Sequence, residues 1–235
     1  MAERLQKLLS ARGLCSRREA EQWILQGRVQ VNGVTAGLGD RADPEVDTIT
    51  VDRRPLPARE EYVYLMLHKP RGVVTTLSDE KGRKNAAQLV RSCGVRVYPV
   101  GRLDMDSEGL LLFTNDGEFA NALAHPKHEV EKTYYVWVSG YGPGAAQRLA
   151  RPVAIDGYQI KPPRVKLLWE NGEKAKFSVV IHEGRNRQVR KMCALAGMTV
   201  TKLMRVAEGQ VKLGDLPAGQ WRHLTEAERT ALLHE

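Results

Sequence analysis

Residues 101–115 read GRLDMDSEGLLLFTN, and the rest of the chain can be interpreted around this stretch. Its first half places three acids close together, at Asp104, Asp106 and Glu108. Its second half is an apolar run, residues 110–113, that ends in the turn-forming letters TNDG. A short apolar run bounded by turn residues is typical of a strand buried on both faces. We therefore predict a charged loop that leads into a buried strand, with Asp104 as the main candidate for a functional carboxylate.

Composition favours an anionic partner. The 235 residues carry a formal net charge of +8, which suits nucleic acid or an acidic membrane. No amphipathic basic helix, lipidation motif or run of eighteen apolar residues supports the membrane, and the charged start MAERLQKLLS does not resemble a signal peptide. The three cysteines, Cys15, Cys93 and Cys193, are odd in number and lack CxxC spacing, so we expect reduced thiols in a cytoplasmic protein.

The first sixty residues predict two short helices followed by short strands. Leucines at helical spacing end at Gly13, and Ser16 with Glu19 has the form of a capping box that opens a second helix. VQVNG, residues 29–33, then predicts a tight hairpin.

Basic residues gather at the start of the second helix, where Arg17 and Arg18 follow Arg12. Such a cluster is either a solvated helix start or a phosphate contact, since the helix dipole attracts anions there. The segment ERLQKLLSARGLCSRREAEQWILQGRVQVNG, residues 3–33, resembles the small RNA-binding module named after a small-subunit ribosomal protein, the S-four domain. That resemblance implies RNA binding through the helix pair, and it implies no chemistry.

A proline-punctuated linker, residues 53–59, predicts a domain boundary. We expect an S-four-like RNA-binding domain over residues 1–58 and a larger domain over residues 62–235. Strands and helices in the larger domain come in mixed order, which predicts an α+β fold with a mixed, largely antiparallel sheet flanked by helices. The predicted strands are 62–67, 73–76, 132–138, 165–169, 177–181 and 200–206, and the predicted helices are 86–91, 117–124, 145–150, 184–196 and 225–233.

Several common chemistries find no support in the sequence. His125 and His128 are separated by a proline and lack a third ligand, so we expect no metal. No glycine-rich phosphate loop or GxSxG elbow is present, which leaves a nucleotide site and a serine hydrolase unsupported. A carboxylate-pair hydrolase would need Asp106 or Glu108 as much as Asp104, and nothing in the spacing shows that two of them face one substrate.

The basic stretch GRNRQVRK, residues 184–191, is the other candidate site element. It is either an exposed helix face or a set of cations that pairs a carboxylate or follows a phosphate backbone. Helical spacing places Arg187, Arg190 and Lys191 on one side.

The motifs together resemble the pseudouridine synthases that modify ribosomal RNA, in the branch that includes RsuA and RluB. The signature GRLDMDSEGLLLFTN is accompanied, in the family's order, by YLMLHKPRGVVTT, EKTYYVWV, EGRNRQVRKM and TKLMRV. Their order and spacing are closer to the RluB group, which acts on the large subunit, than to RsuA. The resemblance implies a cofactor-independent isomerase that turns uridine into pseudouridine after flipping the base out of the RNA.

The same resemblance implies roles for single residues. Asp104 is the nucleophile, Tyr134 stacks on the uracil and assists loss of the proton at carbon 5, and Arg190 holds Asp104 ionised. Arg187 is the rival for the arginine role, because an alignment shifted by one turn exchanges the two. Arg102 enters the RNA as the base leaves, and Leu203 forms an apolar floor. Further contacts to RNA are expected from Arg187, Lys191, Arg17, Arg18 and Arg12.

Two other functions stay open from sequence alone. One is the same reaction on small-subunit ribosomal RNA, and the other is a non-catalytic RNA-binding or ribosome-assembly factor. The intact set of Asp104, Tyr134 and Arg190 favours the enzyme. We expect a monomer that acts on ribosomal RNA or a precursor particle, without a membrane or a small-molecule cofactor.

Overall fold

The computed structural model describes residues 1–124 and 128–233, and the chain divides into two compact units. Unit 1 comprises Met1–Tyr62 with Asn115–Gly117, and unit 2 comprises Val63–Thr114 with Glu118–Glu235.

Unit 1 contains two helices and short antiparallel strands around a small apolar core. The capping box is confirmed: Glu19 donates its backbone N–H to Ser16 Oγ at 3.1 Å, and the Glu19 carboxylate accepts from the Ser16 N–H. Leu5, Leu9 and Ile24 are buried in this core. The elements are β1 (Glu3–Arg4), α1 (Leu5–Ala11), α2 (Arg17–Leu25), β2 (Val29–Val31), β3 (Val34–Thr35), β4 (Arg41–Ala42), β5 (Ile49–Val51) and β6 (Arg54–Pro55).

Unit 2 is an α+β domain whose helices flank one large sheet. Its first elements are β7 (Tyr64–Lys69), α3 (Ala86–Leu89), a 3-10 turn (Arg91–Cys93), β8 (Tyr98–Val100), β9 (Glu108–Thr114), α4 (Gly117–Ala124), β10 (Lys132–Ser139) and α5 (Ala145–Leu149). The remaining elements are β11 (Ala154–Ile155), β12 (Tyr158–Gln159), β13 (Arg164–Asn171), β14 (Lys174–Ile181), α6 (Gln188–Leu195), β15 (Thr199–Glu208), β16 (Val211–Lys212), β17 (Trp221–His223) and α7 (Glu226–Leu233).

The large sheet has the strand order β13-β14-β10-β15-β9-β7-β17, and off this path β8 pairs with β9 and β16 pairs with β15. Its strand pairs are antiparallel except for β15 with β9, which run parallel. The mixed, largely antiparallel sheet predicted from the sequence is therefore confirmed.

Strand β9 is the apolar run of the opening motif, and it separates two cores. Leu111 and Phe113 pack into the larger core, while Leu110 and Leu112 pack into the smaller core on the other face. All four are fully buried, so the prediction of a strand buried on both faces is confirmed. The loop before it is consequently anchored to the most buried strand of the domain.

Two local predictions are wrong. The strand expected at residues 73–76 is reduced to an isolated bridge between Val74 and Asn85. The helix expected from residue 184 begins at Gln188, because Arg187 adopts a left-handed conformation with φ of 52° and ends the preceding loop. Arg187 therefore lies outside the helix face on which the spacing placed it.

Candidate active site

The loop between β8 and β9 holds Asp104 in a fixed position. Thr75 Oγ1 donates to the Leu103 carbonyl at 2.7 Å and accepts from the Leu103 N–H at 3.2 Å. Gly72 N–H donates to the Met105 carbonyl at 2.7 Å, and Ser107 N–H donates to the Asp104 carbonyl at 3.1 Å. These bonds fix both sides of Asp104, whose side chain stays 34% exposed and open to a ligand.

A cavity of about 350 Å³ opens beside this carboxylate. Five of the residues selected from the sequence line it together: Arg102, Asp104, Tyr134, Arg187 and Leu203. They come from the motif loop, from β10, from the loop that precedes α6, and from β15. The fold therefore brings together residues that lie up to a hundred positions apart in the sequence. Apolar and charged groups therefore face one space, as a site for a polar ring requires.

Arg187 bridges the two acids of the loop. Its guanidinium donates to both carboxylate oxygens of Asp106, at 3.1 and 3.0 Å, and its Nη1 lies 3.7 Å from Asp104 Oδ2. Burial alone would raise the pKa of Asp106, but the hydrogen bonds from Arg187 and the charge of Arg190 outweigh it and lower that pKa. Asp106 is therefore held as a carboxylate at neutral pH.

Arg190 has different partners from those the resemblance implies. Its Nη2 donates to the Asp106 carbonyl at 3.0 Å and lies 3.3 Å from Asp106 Oδ2, while Nη1 donates to the Val200 carbonyl at 3.3 Å. The arginine that reaches Asp104 in this structure is Arg187, because its position before the helix carries its side chain across the loop. Arg190 is only 12% exposed, and burial lowers its pKa while Asp106 raises it.

Tyr134 is supported by a buried charged pair that sequence reasoning missed. Burial raises the pKa of Tyr134, while the charge of Arg205 and a hydrogen bond donated by that arginine oppose the rise. Arg205 also donates through Nε to the Leu110 carbonyl at 2.8 Å, and its Nη2 lies 3.4 Å from Glu208 Oε2. Both side chains of this pair are 2% exposed. Tyr134 is thus paired across the strands with a cation that a buried carboxylate neutralises.

Lys69 is a second buried cation near the motif loop. Its Nζ donates to the carbonyls of Pro70 at 2.9 Å and Val73 at 2.7 Å. Burial lowers the pKa of Lys69 to about 8, against the opposing charges of Asp104, Asp106 and Glu108. Residues 64–76, YLMLHKPRGVVTT, indicated a motif of the resemblance but not the burial of this lysine, which was also missed.

The remaining predicted RNA contacts are not among the residues that line the cavity. Lys191 is paired with Asp156 at 2.5 Å. Arg17 and Arg18 are exposed in the first turn of α2, and Arg12 donates to the Pro57 carbonyl at 2.8 Å.

Neither metal ligation nor membrane insertion finds a structural basis within residues 1–124 and 128–233. This part of the chain holds no group of three or more metal-ligating side chains and no helix long and apolar enough to cross a bilayer. His125, one half of the histidine spacing considered above, lies outside the described residues.

Comparison with known proteins places this geometry among RNA-modifying enzymes. Residues 63–195 match the family model described as RNA pseudouridylate synthase, and residues 3–47 match the S4 domain, the S-four module named above. The chain is 44% identical to "Ribosomal large subunit pseudouridine synthase B" of Bacillus subtilis, over 96% of this chain and 93% of that protein. It is 40% identical to the protein of the same name in Vibrio vulnificus, over 95% of this chain and 72% of that protein. A solved structure titled "Crystal structure of pseudouridylate synthase" superposes with a TM-score of 0.69 and 31% identity, over 97% of this chain and 99% of that one.

Proposed function

Because this chain belongs to the RNA pseudouridylate synthase family and is an isomerase, we propose that it converts a specific uridine of large-subunit ribosomal RNA into pseudouridine. The observation that carries the choice of substrate is the identity of 44% and 40% to two proteins named as large-subunit synthases, over nearly the whole of this chain. The S4 domain match supports an RNA substrate independently of those names.

The reaction moves one bond and leaves the composition of the nucleoside unchanged. The bond from uracil N1 to ribose C1′ breaks, the base rotates, and C5 bonds to C1′. The proton on C5 is lost and N1 gains one, so neither a redox partner nor a group donor is consumed. We assign the nucleophile to Asp104, since the loop fixes its backbone while its carboxylate stays open to the cavity. Its carboxylate would bond to C1′ as the N1–C1′ bond breaks, and the attack of C5 on C1′ would release it unchanged.

Tyr134 and Leu203 are proposed to hold the base. Both line the cavity, and both are less than 10% exposed, so a uracil between them would leave water. Stacking on an aromatic ring contributes about 1–3 kcal/mol per base, which offsets part of the few kcal/mol that flipping a base costs. Burial raises the pKa of Tyr134 and favours the neutral phenol, while the charge of Arg205 opposes this rise and favours the phenolate, the form that can accept the C5 proton.

The two arginines are proposed to share the task of holding the acids. Arg187 contacts Asp106 through two hydrogen bonds and reaches Asp104, while Arg190 anchors the backbone of the same loop. A guanidinium suits this role because it stays charged and its fork matches a carboxylate.

RNA outside the flipped base is proposed to meet two further groups of cations. Arg102 lines the cavity and is exposed, and it is proposed to fill the gap that the base leaves. Arg17 and Arg18 are exposed at the start of α2, where phosphate is favoured by the helix dipole.

We assign residues 1–58 to RNA binding and residues 62–235 to catalysis. We further propose that the protein acts as a monomer in the cytoplasm on ribosomal RNA or a precursor particle; its three cysteines, which form no disulfide, fit a reducing compartment.

The decisive experiment is a chemical map of pseudouridines in ribosomal RNA from cells with and without the gene. We expect one large-subunit site to disappear and to return when the wild-type gene is restored. A missing site in the small subunit would contradict the choice of substrate while keeping the reaction. If the two maps are identical although the wild-type cells express the protein, the remaining function is that of an RNA-binding factor.

A further inference from the structure

The sheet of unit 2 carries a row of alternating aromatic and cationic side chains. Trp169 on β13 lies opposite Lys176 on β14, which lies opposite Trp137 on β10, which lies opposite Lys202 on β15. Strands are about 4.8 Å apart, so the two tryptophans are about 9.6 Å apart along this row. The row crosses four adjacent strands.

This row lies on the face of the sheet opposite the catalytic cavity. Along β10 the residues that alternate with Trp137 are buried, and one of them is Tyr134, which lines the cavity. Along β14 the neighbours of Lys176, Ala175 and Phe177, are likewise buried. We call the other side the open face; its members are Tyr135, Trp137, Lys166, Trp169, Lys174, Lys176 and Lys202.

Two cations of the open face, Lys176 and Lys202, lie against aromatic rings of this face. Lys176 Nζ lies 4.3 Å from the ring centroid of Tyr135 and 4.7 Å from that of Trp137. Lys202 Nζ lies 5.0 Å from the Trp137 ring on the neighbouring strand. Trp169 has no ring or cation contact with any other described residue and is 49% exposed. A large exposed ring beside fixed cations is unusual for a surface that serves only solubility.

The open face has more positive charge than its acids neutralise. Glu108 pairs with Lys202 at 2.7 Å. Lys166, Lys174 and Lys176 form no ion pair with an acid in the part of the chain that the structure describes. Three cations therefore remain for an anionic ligand.

We propose that the open face binds a single-stranded segment of RNA, with bases stacked on Trp169 and Trp137 and phosphates held by the lysines. Rings interleaved with cations at strand spacing provide both elements of sequence-tolerant recognition of single strands. An acidic polypeptide would use the lysines but would offer the tryptophans no base to stack on. The inference rests on the proposed function only in taking RNA as the partner, and it adds a contact surface on the far side of the sheet from the flipped base.

The test measures anisotropy of a fluorescein-labelled oligoadenylate of twelve residues with the full-length protein at several salt concentrations. This probe lacks uridine, so its binding does not depend on isomerisation. The charge variant is Lys166→Glu with Lys174→Glu, two exposed positions outside the catalytic machinery. Its matched control is Arg91→Glu with Arg151→Glu, which changes the net charge equally at exposed positions elsewhere in unit 2. Thermal unfolding confirms that each variant is folded.

Loss of two phosphate contacts should weaken binding about tenfold or more at low salt and reduce the slope of log affinity against log salt by about 1.4. The control pair should change the affinity and the salt slope much less. Trp169→Ala should weaken binding about fivefold or more, whereas Trp169→Phe, which keeps a ring, should retain most of the affinity.

Equal losses from the two charge pairs, or unchanged binding by Trp169→Ala, would overturn the inference. A different result would assign the face to an acidic polypeptide. In that case Trp169→Ala would weaken the binding of polyglutamate and leave the binding of oligoadenylate unchanged. If oligoadenylate binds through this face but the protein modifies no ribosomal uridine, the proposed function is wrong and the inference about the open face stands.

Discussion

A Cβ atom on Gly109 would lie 2.2 Å from the carbonyl oxygen of Arg205 and 2.6 Å from its backbone nitrogen. The two residues are register partners in the parallel pairing of β9 with β15, and Gly109 has φ of +115°. Any side chain there would push β9, which follows the Asp104 loop, apart from β15, which carries Arg205. This approach makes Gly109 a requirement for the position of the active site.

We therefore expect Gly109→Ala to destabilise the protein by about 4 kcal/mol or more, since backbone strain and steric overlap add. Urea unfolding followed by circular dichroism measures this change. Gly157 is the matched control because its φ is +76° and a Cβ atom there would have no neighbour within 4 Å. Gly157→Ala should cost only about 1–2 kcal/mol, the cost of a side chain in the left-handed conformation. Similar losses in the two variants would show that the close approach is unimportant.

The second prediction concerns the nucleophile. Asp104→Asn should abolish isomerisation and leave RNA affinity nearly unchanged, because the substitution keeps the size of the side chain and removes only its charge and nucleophilicity. Single-turnover assays with saturating enzyme measure the first quantity, and filter binding measures the second. Asp106→Asn is the companion variant, and it should retain measurable activity. Isomerisation by the Asp104→Asn protein would disprove the mechanism.

The third prediction separates the two arginines. Arg187→Met should lower the isomerisation rate about 10²- to 10³-fold with little change in melting temperature, since this side chain is 44% exposed. Arg190→Met should also lower stability by about 1–3 kcal/mol, because the carbonyls of Asp106 and Val200 lose a buried donor. Thermal unfolding and single-turnover rates distinguish the effects. A fast Arg187→Met enzyme beside a folded, inactive Arg190→Met enzyme would make Arg190 the partner of Asp104 in the RNA complex.

Sequence patterns predicted the features of this fold that depend on local or periodic signals. The apolar run of β9 and the Ser16–Glu19 capping box are examples, since burial on two faces and helix capping each leave a direct mark in the letters. The left-handed Arg187 left no such mark, because RNRQVRK contains neither glycine nor proline. Its conformation is compatible with its hydrogen bonds to Asp106, which lies 81 positions earlier.

The buried Arg205–Glu208 pair was missed for a different reason. A regular strand would place residues three apart on opposite faces. The register between β10 and β15 shifts here, so that Tyr134 faces Arg205 while Thr133 faces Ala207. This bulge at Val206 puts Arg205 and Glu208 on the same face. Periodicity alone cannot reveal a one-residue insertion in the pairing.

The fourth prediction is a pH dependence at the closing helix. Arg222 donates to both carboxylate oxygens of Glu228, at 2.7 and 2.6 Å, and lowers the pKa of Glu228 from 4.5 to about 2. A carboxyl with a depressed pKa in the folded state stabilises the protein above its unfolded pKa, and this contribution is lost as the pH falls. The stability difference between wild type and Glu228→Gln should therefore be constant near pH 6 and shrink between about pH 4.5 and 2. Glu226→Gln removes an acid from the same first turn without touching the Arg222 pair, and it is the control variant. Urea unfolding at each pH measures both, and a difference that persists at pH 2 would contradict the role of the charge.

The fifth prediction concerns the S4 domain, whose cations are proposed to contact the RNA backbone. Arg17→Gln with Arg18→Gln removes two exposed charges from the start of α2 while leaving the Ser16–Glu19 cap intact. Each lost phosphate contact should reduce the slope of log affinity against log salt by about 0.7 to 0.9, so the pair should reduce it by about 1.4 to 1.8. The isomerisation rate at saturating RNA should stay near that of the wild type, because neither arginine lines the cavity.

The control for this last prediction is Arg41→Gln with Arg53→Gln, two exposed arginines of the same unit outside the helix start. A helix N-terminus adds its dipole to the side-chain charge, whereas these positions offer side-chain charge alone. The control pair should therefore change the salt slope less than the Arg17 and Arg18 pair does. Equal slopes would mean that the domain attracts RNA only through its net charge, and the assignment of α2 as the backbone contact would be wrong.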